Sequence, residues 1–330
     1  MIITRTPLRI SFFGGGTDFP NYYNEHGGAV LSTTIDKYQY ITCRKLSPYW
    51  DHRHQFRYGN SYEEVDEIDE IRHPSIRETM RFFNLNYGLD LHYNTDVPAR
   101  SGMGSSSAFT VGLVNALYGM MGKMPNKRRL AVEAIHIEQD LIGEAVGSQD
   151  QIAAAFGGLN YITFKKGGGF FVHPVTISKN RRDELERHLV LIFSGFQRFA
   201  VEIEKDKINN LSKKEESLKQ MTEITEKALD ILTNNEDICE FGCLLNKAWE
   251  IKKSLSDKVS TNRLDNIYNI GLANGALGGK LLGAGGGGFM LFFCEPNKQE
   301  NLINSLKEYL HIPFRFEENG SQVIYYREEL

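Results

Sequence analysis

The feature that most narrows what this chain can become is Pro98-Ala-Arg-Ser-Gly-Met-Gly-Ser-Ser-Ser-Ala108, a glycine and serine loop running directly into a helix-spaced, amphipathic stretch at 109–121. Small residues let backbone N–H groups approach an anion closely, and a helix that begins there adds unpaired amides and the positive end of its dipole. Such a loop is a phosphate cradle, with Arg100, Gly102, Met103, Gly104, Ser105, Ser106 and Ser107 as the residues lining it. It lacks the Gly-Lys-Ser/Thr ending of a Walker A loop, so Lys is not the residue that grips the phosphates. A flexible loop ahead of a helix is the plainer alternative at this point.

The bulk numbers make any such recognition local. The 38 Lys and Arg against 42 Asp and Glu give a net charge of −4, which attracts neither nucleic acid nor an anionic membrane. At 330 residues the chain is long enough for two domains, and its 41% hydrophobic and 24% charged content is that of a globular protein. No apolar run is long enough to span a bilayer and no signal peptide is recognisable, so a cytoplasmic location is expected. Cys43, Cys239, Cys243 and Cys294 are scattered without zinc spacing and read as reduced structural thiols.

Residues 2–13 and 29–43 are dense in Ile, Val, Thr, Tyr and Phe and predict strands. A helix is expected around 73–83, a strand at 89–94, a long periodic helix at 128–143, a short helix from Ser148 and a glycine-broken hairpin at 157–172. Composition changes near Ser178, which suggests domains of 1–180 and 181–330. The second half reads as a polar segment at 178–187, a buried strand at 189–193, two or three helices over 201–256 and a helix at 262–274. A glycine loop at 283–288, a strand at 289–293, a helix at 297–310 and two terminal strands follow. The charged run 205–219 reads as the wet side of a helix.

Several residues could carry chemistry. Gly283-Ala-Gly-Gly-Gly-Gly288 satisfies G-x-G-x-x-G, but a strand follows it and position 303 is Ile where a ribose-binding acid would lie, so nicotinamide chemistry is disfavoured. Five glycines in six residues instead suggest close backbone approach to a ligand or to a facing loop, with Gly285, Gly286 and Gly287 at its centre. Glu138 shares a four-residue stripe with Leu130, Ala134 and Ile142 that should face the core. A carboxylate there either reaches water at the edge of the buried face or meets a cation such as Mg2+. Asp150 falls in the first turn of a helix that Ser148 and Gln151 would open as a capping box and Gly157 would close. The helix dipole keeps such an acid ionised, as an acceptor for a hydroxyl proton must be. At the N-terminus, Thr6-Pro-Leu-Arg-Ile-Ser-Phe-Phe-Gly-Gly-Gly-Thr-Asp18 carries a strand into a glycine turn ending on an acid, which either caps the turn or accepts from sugar hydroxyls.

Taken in order, the segments 7–18, 98–108 and 280–288 resemble the three motifs of the GHMP kinases, over nearly the whole chain. The resemblance implies a two-domain α+β fold, with an N-terminal ribosomal-protein-like α/β domain, a C-terminal ferredoxin-like domain and the active site between them. It implies ATP and Mg2+ as cofactors, Asp150 as catalytic base with Arg9 beside it, and Ser106 and Glu138 as metal ligands. By the same resemblance Gly15, Gly16, Thr17, Asp18, Asp36, Lys37 and Arg198 bind substrate. Galactokinases carry Gly-Glu-His-Thr-Asp where this chain has Gly14-Gly-Gly-Thr-Asp18, which argues against galactose.

The longer string from Arg9 to Pro20, with Tyr22-Tyr23, Gly27-Gly28 and the run from Ser32 to Tyr38, is similar to the bacterial D-glycero-D-manno-heptose 7-phosphate kinases within that family. The resemblance implies phosphorylation of the anomeric C1 hydroxyl to a 1,7-bisphosphate, feeding nucleotide-activated heptose and surface polysaccharide synthesis. Another sugar such as fucose or an unphosphorylated hexose or heptose, and a non-catalytic sugar and ATP sensor, stay open, as does a homodimer. A substrate phosphate needs a second basic site; Arg44, Lys45, His52, Arg53, His54 and Arg57, with Arg72 and Arg77 beyond, could supply it or could form a solvated loop.

Overall fold

The computed structural model describes residues 1–98, 101–195 and 215–328. The β-branched and aromatic N-terminus forms β1 (Ile2–Phe13), turns through three glycines and α1 (Pro20–His26), and returns as the long β2 (Gly28–Lys45). The two strands pair antiparallel from Ile2 opposite Cys43 to Phe13 opposite Leu31. Register shifts between Pro7 and Leu8 and between Ser11 and Phe13 bend the pair, as bulges do. There follow β3 (His54–Tyr58), β4 (Ser61–Val65), α2 (Pro74–Phe82), β5 (Leu89–Thr95), α3 (Ser105–Met120), α4 (Lys127–His136), α5 (Gln149–Phe156), β6 (Asn160–Phe164), β7 (Phe170–Pro174), α6 (Lys179–Arg187) and β8 (Leu189–Phe193). Beyond the undescribed stretch lie α7 (Glu215–Thr233), α8 (Cys239–Ser254), α9 (Asn262–Ala273), β9 (Ala276–Leu281), β10 (Phe289–Cys294), α10 (Gln299–Ser305), β11 (Leu310–His311), β12 (Phe316–Glu317) and β13 (Gln322–Tyr326).

The first sheet runs β13-β1-β2-β5-β3-β4, with β6, β7 and β12 attached through β2, and the second runs β11-β8-β10-β9 in antiparallel pairs. The chain therefore ends in its first sheet. The strands within 316–326 pair with β1 and β2. One continuous apolar cluster joins the halves. Phe12 and Phe13 of β1 meet Phe241 of α8 edge-on at 5.5 and 5.0 Å between centroids, and Phe241 meets Phe293 of β10 at 6.0 Å.

Three expectations need correction, and one polar segment acquires a definite structure. The helix at 109–121 is not amphipathic: α3 is buried on all sides from Ser107 to Gly119, because sheet, α4 and α5 enclose it. The helix expected over 128–143 ends at His136 and widens into a π turn, Ile137–Leu141, with Ile142 N donating to Ile137 O. The polar segment 178–187 is a helix, opened by Ser178 accepting from Arg181 N. The helix at 297–310 is the shorter α10. Of the region 201–256, residues 201–214, and with them most of the charged run 205–219, lie outside the described residues, and the remainder forms α7 and α8. No helix among the described residues is long and apolar enough to cross a membrane.

Candidate active site

Arg9 and Asp150, 141 residues apart, form a bidentate ion pair: Nε donates to Oδ1 and Nη2 to Oδ2, both at 2.7 Å. β1 supplies the arginine and the first turn of α5 the aspartate. The third guanidinium nitrogen, Nη1, donates to Gly102 O at 2.7 Å, and Arg9 N donates to Met103 O. One side chain thus fastens the acid to the loop expected to hold phosphates. The guanidinium is buried, while the Asp150 side chain keeps 23% of its surface open, enough to meet a ligand.

The loop itself needs its glycines. Gly104 takes φ +72°, and a Cβ there would lie 3.2 Å from Arg9 Cγ and 3.3 Å from the Asp150 carboxyl. Gly104 is also the N-cap of α3, where no side-chain capping bond forms, and the positive end of the helix dipole favours an anion there. Of the expected loop residues, Met103 is buried, Ser105 and Ser107 are nearly so, and Ser106 is exposed. Arg100 and Arg198 lie outside the described residues.

Glu138 is fully buried in the π turn. Its Oε2 accepts from Ser107 Oγ at 2.8 Å and from Gln151 Nε2 at 2.5 Å, while Oε1 is buried without a hydrogen-bond partner. Burial pushes the carboxyl up to about 7, with the Glu144 charge adding to the rise and the bonds from Ser107 and Gln151 opposing it. A buried carboxylate oxygen left without a partner suits a hard cation. Among the described residues no cluster of three His, Cys, Asp or Glu is present. The capping box expected at Ser148 and Gln151 is not formed. Gln151 turns to Glu138, Ser148 Oγ accepts from Gln139 Nε2 at 3.1 Å, and the Gln149 amide donates instead to Asp18 Oδ2 at 3.3 Å.

Asp18 is accordingly a tie between two turns. Its Oδ1 accepts from Gly16 N at 2.9 Å and its backbone oxygen from Ser148 N. Burial raises its carboxyl above the usual range, with the nearby Asp150 charge adding to the rise and the amides of Gly16 and Gln149 opposing it. Thr17, expected among the sugar ligands, is fully buried, and its hydroxyl donates to the carbonyls of Gly14 and Ala29, so it shapes the turn from behind. Gly15 faces Gln149 across the turn and Gly16 lies over Leu218 and Leu255. Lys37 pairs with Asp36 at 3.0 Å, and Asp36 also bonds the Arg315 backbone, so neither contact is with this turn. The basic interval is likewise dispersed: Arg44 pairs with Asp90, Arg53 donates to Asn86 O, Arg57 lies over Tyr62, Arg77 pairs with Glu78, and His54 is buried.

The C-terminal glycine loop lies on the phosphate loop, backbone to backbone. A Cβ on Gly283 would sit 2.4 Å from Gly102 Cα, and one on Gly288 2.3 Å from Ser101 O. Gly285 and Gly286 fold against Val259, whose carbonyl accepts from Gly286 N, and Gly287 lies between these two contacts in the chain. Two buried lysines that the sequence did not single out brace this arrangement. Lys280 Nζ donates to Ser11 O and Phe12 O across the domains, and Lys252 Nζ to Leu281 O and Gly283 O. Lys252 sits in an ordinary Lys- and Glu-bearing helical stretch, which gives no sign of burial.

Comparison with known proteins identifies the family. The model of the GHMP kinases N-terminal domain matches residues 74–158, and that of the GHMP kinases C-terminal domain matches 224–312. The chain is 34% identical over 321 residues to D-glycero-alpha-D-manno-heptose 7-phosphate kinase of Campylobacter jejuni, covering 93% of each. A solved Campylobacter jejuni structure superposes with a TM-score of 0.73 at 31% identity, covering 98% of this chain and 97% of that one. A D-glycero-D-manno-heptose 1-phosphate kinase from Bacteriodes thetaiotaomicron shares the fold with a TM-score of 0.81 at 23% identity, covering 99% and 100%. With both domain models matched and 34% identity over 93% of the chain, the chain belongs to the GHMP kinases.

Proposed function

We propose that this chain is an ATP-dependent sugar kinase that phosphorylates the anomeric C1 hydroxyl of D-glycero-D-manno-heptose 7-phosphate. The observation that carries the reading is the Arg9–Asp150 clamp beside the N-terminus of α3. The 34% identity to a heptose 7-phosphate kinase supports the choice of sugar.

In this reading the amides at the start of α3 hold the phosphates of ATP, and Asp150 takes the proton from the sugar hydroxyl as it attacks the γ-phosphorus. Arg9 keeps the carboxylate aimed and offsets its charge. The Gly14–Gly16 turn, held by Asp18 and Thr17, shapes the floor on which the sugar lies. Glu138 and Ser106 would hold Mg2+, which supplies charge neutralisation at the transferring phosphoryl group. The closed glycine loop keeps water from competing with the sugar.

A substrate panel tests the proposal, with ATP consumption and phosphorus NMR of the product as readouts. Heptose 7-phosphate should give the highest kcat/KM and a bisphosphate bearing a new anomeric phosphate. Faster turnover of the unphosphorylated sugar, or a product phosphorylated elsewhere, overturns the substrate assignment; ATP consumption that no sugar stimulates overturns the kinase reading.

A further inference from the structure

The first turn of α5 carries a second buried polar side chain beside Asp150. Gln151 has no exposed surface, and the proton transfer proposed above does not use it. Its Nε2 and the Ser107 hydroxyl both donate to the same oxygen of Glu138, at 2.5 and 2.8 Å. The other carboxylate oxygen is left with no partner.

An ionised carboxylate offers about four lone-pair sites over two oxygens, so nothing in its chemistry sends both donors to one of them. Loading Oε2 fixes the rotation of the group and leaves Oε1 as the oxygen with free valence. In a buried site that is costly unless a cation meets it. The two donors come from the first turns of α3 and α5, which also bear the phosphate loop and Asp150. Any tilt of α5 therefore moves the acid and the carboxylate support together. A carboxamide suits the task because it donates without adding charge; a second carboxyl at that distance would compete for a proton.

We infer that Gln151 is a positioning residue for the divalent cation, holding Glu138 by Oε2 so that Oε1 is the ligating oxygen. This rests on the proposed reading of Glu138 as a metal ligand, and Gln151 itself touches neither metal nor substrate.

The test is Mn2+ binding to the complex of the full chain with ADP, followed by electron paramagnetic resonance, for the parent, Glu138→Gln and Gln151→Met. Metal-free ADP affinity and thermal melting are measured alongside. Support-shell changes of this kind typically weaken metal binding by about 10- to 100-fold, and Gln151→Met should fall in that range with metal-free ADP affinity unchanged. A Gln151→Met protein that folds and binds Mn2+ like the parent, while Glu138→Gln loses it, overturns the inference and leaves the metal reading standing. Unchanged Mn2+ binding in Glu138→Gln overturns the metal reading itself. If Gln151→Met does not fold, Gln151→Asn, whose carboxamide is one methylene short, takes its place with the same expected loss, and parent-like binding in it overturns the inference.

Discussion

At the scale of single residues, the decisive fact is that both oxygens of Asp150 are held by one guanidinium. The carboxylate cannot rotate without breaking charge-assisted bonds, which are stronger than neutral ones. Asp150→Asn should cut turnover by roughly a hundredfold or more, the usual size of a lost acid–base contribution, with ADP affinity kept; steady-state kinetics and calorimetry check the two halves. Arg9→Lys is the sharper probe, because an ammonium cannot reproduce the two-pronged grip. It should lower kcat far more than it raises the KM for ATP. Gly104→Ala combines two faults, a left-handed φ of +72° and a Cβ pressed on both members of the pair. Its melting curve should show a loss on the order of 1 kcal/mol or more, together with a reduced kcat.

At the scale of elements, β3 carries a titratable group in its hydrophobic face. His54 is fully buried, its Nδ1 accepts from Leu89 N at 3.1 Å, and its Nε2 has no hydrogen-bond partner. Burial first, and then the charge of Arg53, push it down to about 4. The unfolded chain titrates near the ordinary value, so its support for the fold is complete above pH 6.5 and declines as the pH falls from there toward 4. Urea titrations should show a slope of up to about 1.4 kcal/mol per pH unit in that window, and His54→Gln should flatten it. β1, β2 and β5 were legible in the sequence because local composition sets them, whereas β3 and β4, among basic and acidic residues, were not. What escaped was set by partners far along the chain. Gln151 looks like half of a capping box until Glu138 is placed opposite it, and Thr17 looks like a sugar ligand until Gly14 and Ala29 take its hydroxyl. The widening of the helix at Ile137–Leu141 has no local marker, since Pro and Gly are absent there.

At the scale of the whole molecule, the Lys280 bonds to β1 are accompanied by two further kinds of contact between the halves. The aromatic cluster around Phe241 is the apolar one, and Phe241→Ala should cost about 3–5 kcal/mol and lower the melting of both sheets in a single transition, read by calorimetry. The other is the seating of 283–288 on 101–102, where backbone meets backbone and Gly288→Ala would drive a methyl into Ser101 O. Interfaces built from side chains must co-adapt, since each knob needs its own hole. This one meets mainly through backbone, with Lys252 and Ser194 holding Gly283 and Gly288, so a chimera carrying a distant homologue's glycine loop should dock at this joint provided those two side chains are kept.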